Sequence, residues 1–339
     1  MSVVIGRYSR QVLFPAIGVE GQRKLGNSSV VLIGCGALGT IIATSLVRAG
    51  VGKVKIIDRD FIEYHNLQRQ VLFDEEDIKA GLPKAIAAER HLKKVNSSIE
   101  IKGIVADVNY TNIEKLVTGA DVLLDGLDNF ETRYLINDVS LKHNIPWVYG
   151  GAIAASGMTM NIIPGQSPCF RCVSVSPIGR GIALTCDTAG VIGPAPFIIG
   201  SLQAVEAMKV LVGAETINQD LIMIDVWTGE FSRFKIARHA DCPTCRGEYE
   251  FLKARFGTKT TSLCGQNAVQ VLNPEVGEIS FQRLAAHLKP IGEVSYNEFM
   301  LRFRVDNREM VIFPDGRAIV KNTGDEALAR GLYAKYIGV

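Results

Sequence analysis

Apolar and polar positions follow one another in blocks along the first half of the chain. An apolar run at 30–34 gives way to helical spacing over 37–49, then an apolar run at 54–58, helical spacing over 84–95, apolar runs at 99–107 and 121–126, a helix over 130–143 and a strand at 147–152. Residues 8–25 precede them as a helical segment. This alternation predicts a mostly parallel sheet covered by helices on both faces, because a parallel strand pair needs a crossover that packs back on the sheet.

After residue 151 the pattern changes. AASGMTMNIIPG reads as an antiparallel strand, and a Gly-rich polar stretch at 176–190 reads as a mobile loop. A buried helix follows over 197–212, then strands at 221–227 and 231–238. Beyond about 250 the sheet pattern stops. Residues 251–264 look like a linker, and 265–339 like a small α+β appendage: SFQRLAAHLK a helix, FMLRFRVD and REMVIF a hairpin-like pair, PDG a turn and DEALARGLYAKYIG a closing helix. The first domain then spans 1–250, with one half over about 1–150 and a second half over about 151–250.

Composition adds little direction. With 37 Lys+Arg against 35 Asp+Glu in 339 residues, no global field points to nucleic acid or an anionic membrane. The N-terminus lacks the long apolar core and the cleavage site of a signal peptide, so a cytoplasmic protein is expected. The segment VIGPAPFIIG is too short and too interrupted to span a bilayer.

Candidate chemistry starts at GCGALG. Gly34, Gly36 and Gly39 fit a tight strand-to-helix turn where a phosphate meets bare backbone at a helix N-terminus, and Asp58 fits an acid that grips ribose hydroxyls. The loop alone specifies a nucleotide phosphate without saying which nucleotide. A dehydrogenase needs a proton relay, and the histidines at 65, 91, 143, 239 and 287 offer no clear one. Downstream, Arg69 and Lys84 are cations and Asp128 sits at a strand tip. Cations for polyphosphate and a carboxylate for Mg²⁺ are what nucleotidyl transfer uses.

Cysteine spacing matters more than cysteine number. Cys169/Cys172 and Cys242/Cys245 are two C-x-x-C pairs, a donor set for a closed tetrahedral zinc site; a redox dithiol is the competing reading. Cys35 reads as a small filler in the loop, and Cys264 has no evident role.

Taken together, RYSRQ at 7–11, GCGALG at 34–39, DRD at 58–60, NLQRQ at 66–70, PK at 83–84, LDN at 127–129, CFRC, TC at 185–186, GSLQAVEAMK at 200–209 and CPTC resemble the ThiF/MoeB family of adenylyltransferases, relatives of ubiquitin-activating enzymes, over about residues 6–250. The resemblance implies a Rossmann-like α/β fold whose second half is stapled by structural Zn²⁺. It also implies ATP- and Mg²⁺-dependent activation of the C-terminal Gly-Gly carboxylate of a small ubiquitin-like sulfur carrier, for thiamin or molybdopterin biosynthesis. By motif, ATP would lie on Gly34, Gly36, Ala37, Gly39, Asp58, Asp60, Asn66, Arg69, Lys84, Asp128 and Asn129, with Asp128 holding Mg²⁺. Arg10 would act in the other protomer of a homodimer, and Cys186 would be a residue for covalent chemistry. A cysteine desulfurase or sulfurtransferase would be a further partner; nucleic acid and membrane would not.

The appendage is where the chain departs from compact members, and it lacks a rhodanese-like Cys signature. Three alternatives stay open on sequence: an adenylating enzyme for a peptide or other carboxylate, an NAD-dependent oxidoreductase, and a zinc-bearing binding protein without catalysis.

Overall fold

The computed structural model describes residues 2–174, 189–253, 260–263, 267–272, 279–305 and 307–337. Two compact units divide the chain at 256/257. The larger one begins with α1 (Ser2–Val12), α2 (Gly18–Asn27), β1 (Ser29–Ile33), α3 (Ala37–Ala49), β2 (Lys53–Asp58), α4 (Glu75–Lys79), α5 (Lys84–Val95) and β3 (Glu100–Val105). It continues through α6 (Ile113–Val117), β4 (Val122–Asp125), α7 (Phe130–His143), β5 (Trp147–Ile153), β6 (Ser156–Ile162), α8 (Phe170–Val173), α9 (Pro194–Val212), β7 (Leu221–Asp225) and β8 (Glu230–Phe234). The eight strands form one sheet in the order β3-β2-β1-β4-β5-β6-β7-β8. Strands β1 to β5 are parallel, and β6, β7 and β8 extend the sheet antiparallel.

Both faces are covered. Val31, Ile33, Ile57 and Leu123 pack with Ile113 and Val117 of α6 and with Ile136 and Val139 of α7. The alternate residues Val30, Leu32, Ile56 and Leu124 are equally buried on the other side, where α3 and α5 lie on β1, β2 and β3 and α9 lies on β4, β5 and β6. Helix α9 has the length and hydropathy of a membrane span, but inside it Gln203 donates to the carbonyls of Asp125 and Val148, and Glu206 accepts from Asn161. Those buried polar contacts make it a core helix.

The single N-terminal helix expected over 8–25 is two helices. Pro15 disfavours helical geometry at Phe14, and the chain turns there, with Ile17 and Gly18 both donating to the Phe14 carbonyl before α2 starts. The strand expected over 231–238 ends at Phe234.

The smaller unit contains β9 (Thr260–Leu263), β10 (Ala268–Val271), α10 (Phe281–Leu288), β11 (Glu293–Tyr296), β12 (Leu301–Val305), β13 (Arg308–Ile312), β14 (Ala318–Lys321) and α11 (Glu326–Tyr336). Its strands form an antiparallel six-stranded sheet, β11-β12-β13-β14-β10-β9, with Phe281, Leu288, Phe303, Ile312, Val320 and Tyr333 in one α+β core. Residues 251–264, expected as a linker, carry structure at both ends. Phe251 is buried and stacks on Tyr134 of α7, and Thr260–Leu263 pairs with β10.

Candidate active site and metal centre

The parallel strands end at one edge of the sheet, and the strand order reverses between β1 and β4, which opens a crevice there. The turn from β1 into α3 lines it. Gly34 has φ +91°, and a Cβ on it would lie 2.6 Å from the Gly126 carbonyl carbon; a Cβ on Gly39 or on Gly126 would lie 2.2 Å from Gly34 O. These three glycines are demanded by the close crossing of the β1 and β4 tips. Gly36 is different. A Cβ there would meet nothing nearer than Gly126 O at 3.7 Å and Gln70 Nε2 at 3.9 Å. Gly36 is also the N-cap of α3 and supplies no side-chain cap, so the N–H groups of the first turn, Ala37 among them, face this open cradle.

Beside the cradle a charged cluster closes. Asp58, at the end of β2, is buried and accepts from Cys35 N at 2.6 Å and from Asp60 N at 2.7 Å, one bond per carboxylate oxygen. Burial pushes its carboxyl above the usual range; Lys84 opposes this and Asp60 adds to it. Lys84 opens α5. Its backbone N–H donates to Asp60 O at 2.9 Å and its Nζ to Asp60 Oδ2 at 3.1 Å. Burial would lower this ammonium, but Asp60, Asp58 and Asp128 hold it above the ordinary lysine value. Lys84 is therefore a permanent cation at neutral pH.

Two residues that the sequence did not single out belong to the same cluster. Arg59 donates to Asp107 Oδ1 at 2.7 Å, so the guanidinium ties the tip of β2 to the segment after β3. Burial acts against its charge, and Asp107, Asp60 and Asp128 outweigh it. Arg133 on α7 is buried, donates to Asp125 Oδ2 at 3.0 Å and reaches the Leu127 and Gly150 carbonyls, fixing the turn that carries Asp128. The only local signals were DRD, where Arg59 lies between two acids, and the Asp-Arg spacing in DGLDNFETR.

Asp128 is exposed at the tip after β4, close enough to Lys84 and Arg59 to raise both. Asn129 caps α7 by accepting from Thr132 N at 3.0 Å. Asn66 is buried and accepts from Glu63 N at 3.0 Å, which shapes the turn over Tyr64–Asn66. Arg69 lies on the continuation of that turn with its guanidinium folded onto His65 O at 2.8 Å, and the next residue, Gln70, is the one that borders Gly36. The structure thus gathers Gly34, Gly36, Ala37, Gly39, Asp58, Asp60, Lys84 and Asp128, with Asn66 and Arg69 on a turn at the rim.

Arg10 is not brought to this site within its own chain. Tyr8 packs closely on Gly50 at the C-terminal end of α3 and its hydroxyl accepts from Asn96 Nδ2 at the C-terminal end of α5, while Gln11 donates to Ala49 O. The cradle sits at the N-terminal ends of both helices, about 18 Å away along α3 at 1.5 Å per residue. Cys186, like Cys264 and most of the 176–190 stretch, lies outside the described residues.

The two cysteine pairs converge. Cys169 Sγ is 3.9 Å from Cys172 Sγ and 3.5 Å from Cys242 Sγ, and Cys172 Sγ is 3.7 Å from Cys245 Sγ. All four ligand atoms lie within 4.8 Å of one another. A tetrahedral zinc with Zn–S of about 2.3 Å needs sulfurs about 3.8 Å apart, so this donor set fits it and leaves no open position. Burial and the neighbouring sulfurs push the Cys169 thiol up, and burial takes Cys245 up to about 11. Thiols crowded in this way ionise together only around a cation. The surroundings hold the pairs in place: Phe170 N donates to Asn137 Oδ1, His239 N to Cys172 Sγ, and Asp138 accepts from Thr244 Oγ1 and from Phe251 N.

The chain's likeness to known proteins agrees with this geometry. The ThiF family model matches residues 8–244. A sulfur carrier protein ThiS adenylyltransferase from Bacillus subtilis is 44% identical over 338 residues, covering 98% of this chain and 99% of the relative. The Escherichia coli protein of the same description is 37% identical over 242 residues, 71% of this chain and 95% of its own. Among solved structures, E. coli MccB with ATP superposes with a TM-score of 0.63 at 27% identity, covering 71% of this chain and 74% of MccB.

Proposed function

The chain belongs to the ThiF family, and on that premise we propose that it is an ATP-dependent adenylyltransferase of a small ubiquitin-like sulfur carrier, serving thiamin or molybdopterin biosynthesis. The observation that carries this reading is the 44% identity to a sulfur-carrier adenylyltransferase over 98% of the chain, which includes the smaller unit as well as the crevice.

The reaction needs little proton chemistry. A C-terminal Gly-Gly carboxylate is already ionised at neutral pH; one of its oxygens attacks the α-phosphorus of ATP, the bond from that phosphorus to the β-bridging oxygen breaks, and pyrophosphate leaves with the electron pair. No general base is required, which accounts for a site built from lysine, arginines and carboxylates. Asp58, with a lone pair left on each oxygen, holds the ribose; the α3 N-terminus and Gly36 receive phosphate; Lys84, Arg69 and Asn66 offset the charge that develops on the departing pyrophosphate. Asp128, which faces Lys84 and Arg59, would hold Mg²⁺, which supplies further neutralisation of the phosphates. The acyl adenylate is then consumed by a sulfur donor, a desulfurase or sulfurtransferase in the cytoplasm. Zinc is structural, and Cys186 is the residue we assign to any covalent step.

Arg10 enters from a second copy. It is too far from its own cradle, and beside it Leu13, Phe14 and Val19 are 70, 59 and 63% exposed, an apolar patch suited to a homodimer contact. Carrier-dependent exchange between ATP and labelled pyrophosphate tests the activity; absence of exchange with Gly-Gly-ended carriers, alongside exchange with a peptide, would redirect it. Mixing inactive Arg10→Ala and Lys84→Ala proteins tests the dimer. Random reassociation restores about a quarter of wild-type activity if Arg10 works in trans, and none if it works in cis.

A further inference from the structure

The main sheet splits at its crevice edge. Strands β4 and β5 pair through Leu123 with Trp147 and Leu124 with Val148, after which β4 stays with β1 while β5 runs on with β6. Parallel neighbours that part in this way leave backbone carbonyls facing a gap. A side chain from α9 fills it. Gln203 is fully buried, and its Nε2 donates to Asp125 O at 2.9 Å and to Val148 O at 3.2 Å, one bond to each lip of the split. From the other face of the sheet Arg133 joins the same lips, through the Asp125 carboxylate at 3.0 Å and the Gly150 carbonyl at 2.9 Å.

The surroundings are arranged for that amide. A Cβ on Gly150 would stand 2.3 Å from Gln203 Cδ and Oε1 and 2.5 Å from Nε2, so residue 150 must be glycine for the side chain to enter. Gln203 Oε1 is itself enclosed without a hydrogen-bond partner, a cost offset by the two bonds that the N–H₂ group makes. Turning the amide over would set its oxygen against both carbonyls, so the donors face the split. The side chain is kept for these donors and for the spacing they impose on the strands. What the spacing controls lies three residues further on. Asp125 begins the turn Gly126-Leu127-Asp128, its Oδ1 accepts from Leu127 N at 2.9 Å, and at the far end the exposed Asp128 carboxylate faces Lys84 and Arg59.

We propose that Gln203 is a positioning residue for the reaction: its amide wedges β4 from β5 at the crevice edge and so sets where the Asp128 carboxylate stands. The inference rests on the adenylyltransferase reading, in which Asp128 would hold Mg²⁺. Gln203 touches neither nucleotide nor metal and acts through the backbone of Asp125. It gives GSLQAVEAMK, the one core-helix motif among those that mark the family resemblance, a part in the chemistry. Without the wedge both carbonyls lose their donor and the lips of the split shift. A carboxylate that serves Mg²⁺ tolerates little of this, because the ion demands near-octahedral geometry and a displacement of about 1 Å is costly at a reacting centre.

The test uses the full-length protein with Gln203→Met, similar in shape but without the donors, and Gly150→Ala, whose methyl displaces the amide while residue 203 keeps its identity. Each is made alone and together with Asp128→Asn. Calorimetric titration with ATP at low and at high Mg²⁺, and separately with adenosine, reads the metal contribution apart from the fold. The gain in ATP affinity from low to high Mg²⁺ should be about fivefold smaller than wild type in both variants, a coupling of the size seen between residues of one network. Adenosine affinity should stay within about twofold of wild type. On top of Asp128→Asn neither substitution should reduce the Mg²⁺ gain further, since Gln203 acts through that carboxylate. If Gln203→Met does not fold, Gly150→Ala decides alone. A full Mg²⁺ gain in either folded variant overturns the proposal, as does an equal loss for adenosine, or a further loss in the Asp128→Asn background. A wild type whose ATP affinity ignores Mg²⁺ overturns it too, while carrier-dependent pyrophosphate exchange by that protein leaves the adenylyltransferase reading standing. Absence of exchange with every Gly-Gly-ended carrier, alongside the expected pattern of variants, refutes that reading and keeps Gln203 as the residue that places Asp128.

Discussion

Two single-methyl substitutions, three residues apart, should separate fold from function in the phosphate turn. In Gly39→Ala the new Cβ stands 2.2 Å from Gly34 O and 3.0 Å from Gly34 C, both backbone atoms of the same tight turn. Carbon–oxygen contact needs about 3.4 Å, so the β1 tip or α3 must move by about 1 Å, and it is wedged against Gly126 across the sheet. Overpacking of this kind costs about 1–3 kcal/mol where side chains can yield and more where only backbone can. The better helix propensity of Ala returns up to about 1 kcal/mol. A net loss on the order of 3 kcal/mol follows, or a melting temperature lower by roughly 6–12 °C at the slope expected of a domain this size. Gly36→Ala has no clash, since its nearest neighbours are at 3.7 and 3.9 Å, and its φ of −82° is open to alanine. Reduced freedom of the unfolded chain stabilises it by about 0.5–1 kcal/mol, and the poorer N-cap offsets about that much. Its melting temperature should stay within about 3 °C of wild type. The methyl, however, fills the space we assign to phosphate, so ATP affinity should fall more than tenfold. Differential scanning fluorimetry and ATP titration on both variants decide the matter. A Gly36→Ala protein that binds ATP normally, or one that melts as low as Gly39→Ala, would refute the division of labour between these glycines.

Two further outcomes are expected. Metal analysis should find one zinc per chain, and Cys172→Ser should lose it along with at least 5 °C of melting temperature, since a structural zinc contributes folding free energy outright; full retention of zinc would break the tetrahedral assignment. Asp138 should give a pH signature: burial raises its carboxyl to about 6, against the donors Phe251 N, Thr244 Oγ1 and Leu252 N. A folded pKa above the unfolded value near 3.8 stabilises most below about pH 4 and loses that contribution as pH rises through 6, about 1 kcal/mol of it between pH 5 and 7. Urea unfolding of Asp138→Asn across that range should lack this slope, and an unchanged slope would contradict it.

The main sheet was legible because its helices carry their own punctuation. The helices at 37–49, 84–95 and 130–143 begin and end in the structure where the sequence places them, since Gly36 and Gly50, Pro83 and Asn96, and Asn129 and Asn144 flank them with residues that suit helix ends. In the smaller unit the helix over 281–288, the β12–β13 hairpin and the closing helix were legible too, whereas the remaining strands were not. Strands β10 and β14 are four residues each and pair across about fifty residues of chain, so their register is set by partners that no local window contains. The same limit governed the site. Motif residues such as Asp58 and Lys84 could be named, but Arg59 with Asp107, Arg133 with Asp125, and Gln70 with Gly36 are pairs that only the β-order creates. The paired cysteines stood out because their spacing within each pair is local, whereas the meeting of the two pairs is not.

The charge around the crevice constrains how a triphosphate can be held there. Asp58, Asp60, Asp107, Asp125 and Asp128 set five carboxylates against the three cations Arg59, Lys84 and Arg133, and all three cations are already engaged, with Asp107, Asp60 and Asp125. Arg69 adds one charge at the rim, on a guanidinium that is folded onto His65 O. A chain alone therefore presents a net negative cluster to a polyanion, and at about 4 Å each like-charge pair near a protein surface costs on the order of 4 kcal/mol. Binding of ATP requires further positive charge from outside the chain's own cluster. On the function proposed above, the carboxylates would recruit one source, since Asp128 and Asp60 suit a divalent ion; the second would be Arg10 of a partner copy, because the anchoring of α1 at the far ends of α3 and α5 keeps Arg10 from its own cradle. On this reasoning the acid-rich crevice would couple nucleotide binding to both metal and dimer. Removing negative charge with Asp128→Asn should then weaken the dependence of ATP affinity on Mg²⁺ concentration, even as it lowers the rate of adenylation; a variant whose affinity keeps the wild-type metal dependence would show that the excess charge is balanced by other means.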